Sequence, residues 1–332
     1  MLESPSAARV SGSRSSGPSL ALVSSEQGEP LRVPSFLGAS SPCTTPILVV
    51  LALVAACGRA ASGDRARAPR VVSLHEVTTE MVVALGAEGA LVGLEDPVDP
   101  GPALSAAMAR LAKVPRVDGL ETILAVQPTV VLGLQTVADH SPELVAELRA
   151  RGVEVWLGDP ATLTDVHQMV REVAKRSGVG DGGARVIAGL EAREGAPSAP
   201  APGGRPRRVF VYDCCDPPFT AGGRTVLTDI IRRAGGENVF ADVDDDWTHV
   251  SWEAAAERAP DLAIVNAYAM DGQGDVAAKI DALHRIPGWK ELPVVVVPLG
   301  EALGGLRSVD GLVRLRGELA QLPAAADREA TK

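Results

Sequence analysis

Two cysteines stand side by side in Val211-Tyr212-Asp213-Cys214-Cys215-Asp216-Pro217-Pro218-Phe219-Thr220-Ala221-Gly222-Gly223. Three chemistries are open to them. A bond between Cys214 and Cys215 would close a compact ring that stiffens the local wall, as an exported chain permits. Two thiolates could hold a soft metal ion, with His75 or His249 completing the set. Adjacent side chains diverge, however, so the pair is a poorer chelate than C-x-x-C. Reduced and unliganded, the thiols would be small, weakly polar wall residues. Other groups suited to chemistry are dispersed. His75-Glu76 closes a strand-like run and opens a helical one, as a histidine bonded to helix backbone or as a ligand contact. Trp247 and His249 follow three acids, Asp244 to Asp246, which read as a solvated loop. Arg307 follows the last strand pattern, where a guanidinium could clamp a carboxylate. Arg116, Tyr268 at a strand end, and His140 before a helix cap complete the set. No nucleophile elbow, phosphate loop, H-E-x-x-H or C-x-x-C is present, which argues against an enzyme.

Such residues act only where a framework gathers them. From Arg70 onward, short apolar runs alternate with amphipathic ones. Strands are predicted over 70–74, 91–94, 129–134 and 153–157, then over 208–213, 262–268 and 293–299. Helical patterns start near Thr78, Leu120, Ser141 and Thr225, and one spans Asp310 to Leu322. Ser141 is the expected cap of its helix, with Pro142 at the first position and Gly152 at the end. The alternation predicts an α/β chain of two Rossmann-like lobes with mostly parallel sheets, joined by an interlobe helix, with a ligand cleft between them. Ligands of such sheets sit beyond the C-terminal strand ends. Asp213 to Phe219 therefore fall at the cleft, where the prolines fix the backbone and the glycines allow close approach. The expected divisions are a first lobe at 70–160, an interlobe helix and linker at 161–207, a second lobe at 208–325 and a tail at 326–332.

The first fifth of the chain reads differently. Residues 1–42 are rich in Ser, Gly, Pro and Ala without period, as a disordered segment or a start placed too early would be. Residues 43–57 contain an apolar run, Ile47 to Ala56, too short to span a membrane. Its small residues before Cys57 resemble a bacterial lipobox. Cleavage there would leave Cys57 to carry lipid, the only covalent group expected, with 58–69 as a tether. The net charge of −10 and the lack of a basic tract exclude a nucleic-acid binder. The 46% of apolar residues suffice for large cores without disulfide bracing, and the 4 cysteines are too few for a disulfide framework.

Four segments in order resemble the substrate-binding proteins of type III ABC importers, the cobalamin, haem and ferric-siderophore group. They are "RVVSLHEVTTEMVVALGAEGALVGLED", "VPRVDGLETILAVQPTVVLGL", "VFVYDCCDPPFTAGGRTVLTDIIRRAGGENVFAD" and "WTHVSWEAAAERAPDLAIV". The resemblance covers nearly everything from Arg70 to Leu322. It implies a monomeric binding protein that captures a metal chelate (corrinoid, ferric siderophore or haem) and delivers it to a permease dimer with its ATPase. The protein would be exported and held by its lipid at a membrane, facing the periplasm or the cell exterior. Glu121 and Glu253 match the family's paired rim glutamates, one per lobe, which meet permease arginines. The resemblance places His75, Phe219, Thr220 and Trp247 at the ligand, so the expected contact set is His75, Glu76, Arg116, Tyr212, Asp213, Cys214, Cys215, Phe219, Thr220, Trp247, His249, Tyr268 and Arg307. Arg116 and Asp118 stand where cobalamin binders have a Trp, which shifts the expectation toward a more polar complex, or a bare transition-metal ion on His75, His249 and the cysteines. The stretch between "GVGDGG" and the Pro-rich linker is shorter than the family's interlobe helix, which puts lobe rigidity in question. A ligand-sensing lipoprotein and a cleft enzyme are the remaining alternatives.

Overall fold

The structure is a computed structural model that describes residues 68–196, 198, 205–268 and 276–322. The expected disordered segment, the signal with Cys57, the tether up to residue 67 and the tail lie outside the described residues. In the first lobe, β1 (Val71–Ser73) leads to α1 (Glu76–Ala84), β2 (Leu91–Leu94), α2 (Pro102–Met108), α3 (Leu120–Ala125), β3 (Val130–Leu134), α4 (Thr136–His140), α5 (Pro142–Ala150) and β4 (Glu154–Gly158). The strands form a parallel sheet in the order β2-β1-β3-β4. β1 and β3 are buried along their whole length, as continuous apolar runs covered on both faces should be. Gly152 ends α5 with φ 77°, the left-handed turn that glycine adopts without penalty.

Two helices, α6 (Leu163–Arg176) and α7 (Gly182–Glu194), connect the lobes. The connection is a helical pair broken within "GVGDGG", at Gly178, where φ is 76°. The α6 start is secured by a reciprocal cap: Thr162 Oγ1 accepts from the Asp165 amide and Asp165 accepts from the Thr162 amide. One face of α6 buries Leu163, Val166, Met169, Val170 and Val173. These side chains belong to a single apolar cluster that includes Val71 and Met81 of the first lobe and Leu227, Ile230 and Leu312 of the second. A short connection does not loosen the lobes here, because α6 is itself part of a core that both share.

The second lobe contains β5 (Arg207–Tyr212), β6 (Phe219–Ala221), α8 (Val226–Arg233), β7 (Gly236–Asn238), β8 (Trp247–His249), α9 (Trp252–Glu257), β9 (Leu262–Ala267), α10 (Val276–His284), β10 (Val294–Pro298), α11 (Leu299–Ala302) and α12 (Ser308–Gln321). Its parallel sheet has the order β10-β9-β5-β7. β6 and β8 make a separate antiparallel ribbon. Phe210, Tyr212, Phe240, Trp252 and Trp289 gather in a second core, so five of the nine aromatics among the described residues are spent on packing. Charged groups tie α8 to the connection. Asp229 accepts from the Leu163 amide at 3.0 Å and from Arg233 at 2.7 Å, while Glu194 meets His167 at 2.6 Å and Arg233 at 3.3 Å.

Candidate functional site

The C-terminal ends of the first-lobe strands open into a cavity of about 400 Å³. Leu74 and His75 follow β1, Glu95 follows β2, and Thr136, Val137 and His140 follow β3. Val117, Ile123 and Leu144 supply an apolar floor, and Asp118 and Ser141 add polar edges. Ser141 makes no cap bond to α5; it lines this cavity instead. A smaller space of about 120 Å³ adjoins the same residues, sharing His75 and Thr136, and spans both lobes. Gln135, Asp139 and Asp159 face Arg224, Thr225, Asp246 and Trp247 across it.

His75 is the hinge point of the two spaces. It caps α1, its Nδ1 accepting from the Val77 amide at 3.2 Å. Burial lowers its pKa from 6.5 to about 4, so the ring is neutral at physiological pH. A neutral ring whose Nδ1 accepts carries its proton on Nε2. His75 is therefore a hydrogen-bond donor toward a ligand. Metal coordination through Nε2 would require the opposite tautomer and the loss of the cap.

The second-lobe wall is the β6–β8 ribbon. Phe219 pairs with His249 and Ala221 with Trp247. The Phe219 ring stacks on Trp247, centroids 5.8 Å apart, and lies 4.8 Å from the His249 ring. The ring planes are inclined by 24° and 43°, so the three rings make an aromatic cluster, of which Trp247 lines the interlobe space. Cys214 and Cys215 are joined in a disulfide at the turn leading into the ribbon. Tyr212 holds this turn, its hydroxyl donating to the Cys215 carbonyl at 3.1 Å. Of the three chemistries open to the cysteines, the structure contains the covalent ring.

Several predicted contacts are committed elsewhere. Asp213 is buried and accepts from Asn266 Nδ2 at 2.7 Å and from the Tyr268 hydroxyl. Burial first, then Asp213, raises the Tyr268 pKa far above that of a free phenol. Lys279 lies 4.5 Å above the Tyr268 ring and donates to the Asn266 carbonyl, a network that joins β5 to β9 and α10. Tyr212 is packed in the aromatic core, and Thr220 is fully buried. Glu76 accepts from the Val98 and Asp99 amides at 2.7 and 2.8 Å, so its carboxylate shapes a loop. Arg307 does clamp carboxylates, but the protein's own: Glu80 at 3.0 Å, Asp99 at 3.2 Å and Glu76 at 3.6 Å. It joins the start of α12 to the first lobe. Arg116 lies outside both cavities, paired with Asp96 at 2.5 Å.

The expected metal set is also corrected. The two sulfurs are bonded to each other, His75 is bound through Nδ1 as a cap, and the Nδ1 of His249 lies 3.1 Å from the Pro217 carbonyl. Among the described residues, no group of three or more His, Cys, Asp or Glu is arranged to hold a metal ion. Of the thirteen predicted contacts, His75 and Trp247 line the cavities directly, and Phe219 and His249 extend the wall. Sequence reasoning missed Glu95, Asp139, Asp159 and Arg224, and gave His140 no place at the cleft. Each but Arg224 follows a parallel strand closely, so the strand-end rule applied at every strand would have found most of them. Glu121 and Glu253 are exposed, each in the first turn of a short helix, α3 and α9.

Two parallel-sheet lobes with a cavity at their strand ends define a solute-binding protein, and the comparisons agree. The profile of the periplasmic binding protein family matches residues 71–295, and the chain belongs to that family. It is similar to the vitamin B12-binding protein of Salmonella typhimurium, at 28% identity over 200 residues, which is 60% of this chain and 72% of the relative. Among solved structures it resembles a periplasmic binding protein from Veillonella parvula, with a TM-score of 0.67 and 25% identity over 78% of this chain and 94% of that one. The periplasmic haem-binding protein RhuT of Roseiflexus sp. RS-1, in apo form, gives a TM-score of 0.60 and 26% identity over 75% and 97% of the two chains. These relatives are binding proteins, not enzymes.

Proposed function

We propose that the chain is the lipid-anchored binding protein of an ABC importer, taking a metal chelate between its lobes and presenting it to a permease dimer. The observation that carries the reading is the pair of adjoining cavities at the strand ends, bounded on the second-lobe side by Trp247 of the Phe219–Trp247–His249 cluster. An aromatic ring at the smaller cavity and an apolar floor in the larger one suit a large, partly apolar chelate. The relatives that bind vitamin B12 and haem support that ligand class. A bare metal ion is disfavoured, since the described residues offer no ligand set.

Glu121 and Glu253 are the proposed permease contacts. Exposed ion pairs contribute only about 0–1 kcal/mol each, so the pair would set register more than affinity. Acids in a first helical turn also favour the helix dipole, and the two roles are compatible. Cys57, outside the described residues, is the proposed lipid site. Replacing Glu121 and Glu253 together with arginine should leave chelate affinity unchanged while uptake by cells is lost. Loss of chelate binding by the purified variant would contradict the docking role.

A further inference from the structure

Neither Cys214 nor Cys215 lines the cleft cavities, yet the turn that they head is fastened to the cleft wall. Their bond joins consecutive residues, so it closes a ring through the one peptide bond between them and braces no distant part of the fold. The ring lies at the surface: Cys215 is exposed and Cys214 half-buried. Cys215 also has φ 75°, in the left-handed region that residues with a side chain avoid. Cys43 and Cys57 lie outside the described residues, so the described fold holds no third thiol that could exchange with this bond.

The turn from Cys214 to Phe219 is closed by backbone bonds. The Phe219 amide donates to the Cys214 carbonyl at 2.9 Å, and the Asp213 amide donates to the Phe219 carbonyl at 3.0 Å. The Tyr212 hydroxyl, donating at 3.1 Å, orients the carbonyl of the left-handed Cys215. The following residues grip the segment opposite. Asp216 accepts from the Trp252 indole N–H at 3.1 Å, the Pro217 carbonyl lies 3.1 Å from His249 Nδ1, and the Pro218 carbonyl accepts from the Val250 amide at 2.9 Å. Residues 249–252 connect β8, whose Trp247 lines the smaller cavity, to α9, whose first turn carries Glu253. The backbone angle that the ring imposes at Cys215 therefore sets the register of every contact that follows it.

We propose that the Cys214–Cys215 bond is a reversible redox site, reduced by a dithiol protein in the exported compartment, and that its opening loosens residues 249–252. A thiolate of the dithiol attacks Cys215 Sγ, the sulfur–sulfur bond breaks, and Cys214 Sγ leaves as a thiolate that takes up a proton. The partner's second thiolate then attacks its own sulfur in the mixed disulfide and releases Cys215, which is protonated in turn. The chain gains two electrons and two protons, and the partner ends as its own disulfide. Once open, residue 215 is free to leave the left-handed region, and its carbonyl leaves the Tyr212 hydroxyl. Exposed, conformationally strained disulfides are the labile ones, whereas structural ones resist the glutathione pool.

The test equilibrates the native protein in glutathione redox buffers, alkylates it, and weighs the peptide that contains both cysteines. Hydrogen exchange is followed in the oxidised and reduced forms. The bond is expected to be reduced within the range of these buffers while the protein stays folded. Exchange in residues 213–219 and 249–253 should quicken about tenfold, as the loss of roughly one net hydrogen bond would do, with β1 and β3 unchanged. Cys214→Ser/Cys215→Ser should exchange like the reduced chain in every buffer. A bond that survives until the protein is denatured is a structural one and overturns the proposal. So does reduction that leaves both segments unchanged or that quickens exchange throughout both lobes, and so does a serine pair that exchanges like the oxidised protein. None of these readouts needs a ligand, so the chelate reading stands or falls separately.

Discussion

Two groups of carboxylates lie within a few residues of one another, and the fold treats them in opposite ways. Glu76, Glu80 and Asp99 surround Arg307 where α12 meets the first lobe, and all are largely buried. The second group, Glu95, Asp118, Asp139, Asp159 and Asp246, faces the cleft with one shared arginine. The first group is satisfied by the protein and fixes the lobes. The second is mostly exposed, with slight partners such as Gln135 for Asp139 and Thr122 for Asp118. Total charge cannot distinguish them, since both are acids near strand or helix ends. The difference is whether a guanidinium from the other lobe reaches them.

The contrast can be broken most severely at Arg307. Its replacement by alanine leaves three carboxylates around a desolvated space, and breaking such a cluster costs about 3–5 kcal/mol. Urea denaturation should report that loss; a change no larger than that of a surface substitution would remove the cluster from the account. His75 gives the next effect. Its folded pKa of about 4 lies below the 6.5 of the free ring, so the unfolded chain takes up a proton that the folded one refuses between those values. Stability should therefore be unaffected above pH 6.5 and fall as pH drops toward 4, by on the order of 3 kcal/mol from this group. His75→Asn, which keeps a capping side chain, should flatten that part of the pH profile; an unchanged profile would assign the dependence to other groups. The smallest effect belongs to the cleft. Glu95→Gln removes one of several facing charges and no bond, so stability should stay within about 0.5 kcal/mol of the parent, with any change toward greater stability. A marked loss would mean that Glu95 has a structural partner.

The two groups also mark what could be read in the sequence. Alternating apolar runs gave every strand of the two parallel sheets except β7, whose Gly-Glu-Asn has no apolar signature. The β6–β8 ribbon was seen as a turn and a loop, because three-residue strands carry no detectable period. His75 and Trp247 are placed at the cleft by the family resemblance of the segments that hold them. Asp213, Tyr268 and Arg307 were assigned to a ligand because a polar group at a strand end suits either a ligand or a buried partner. Only the distances to Asn266, Glu80 and Asp99 separate those uses. His140 passed as a residue before a cap, since nothing local shows that α4 turns it toward the space beside Asp118.

The central claim is that one solute is held by both lobes at these strand ends. Hydrogen exchange of the protein with and without its tightest-binding chelate tests it most directly. The account predicts slowed exchange in residues 74–76, 117–119 and 136–141 of the first lobe together with 220–226 and 246–249 of the second. Protection confined to one lobe, or to surfaces away from these segments, would contradict it.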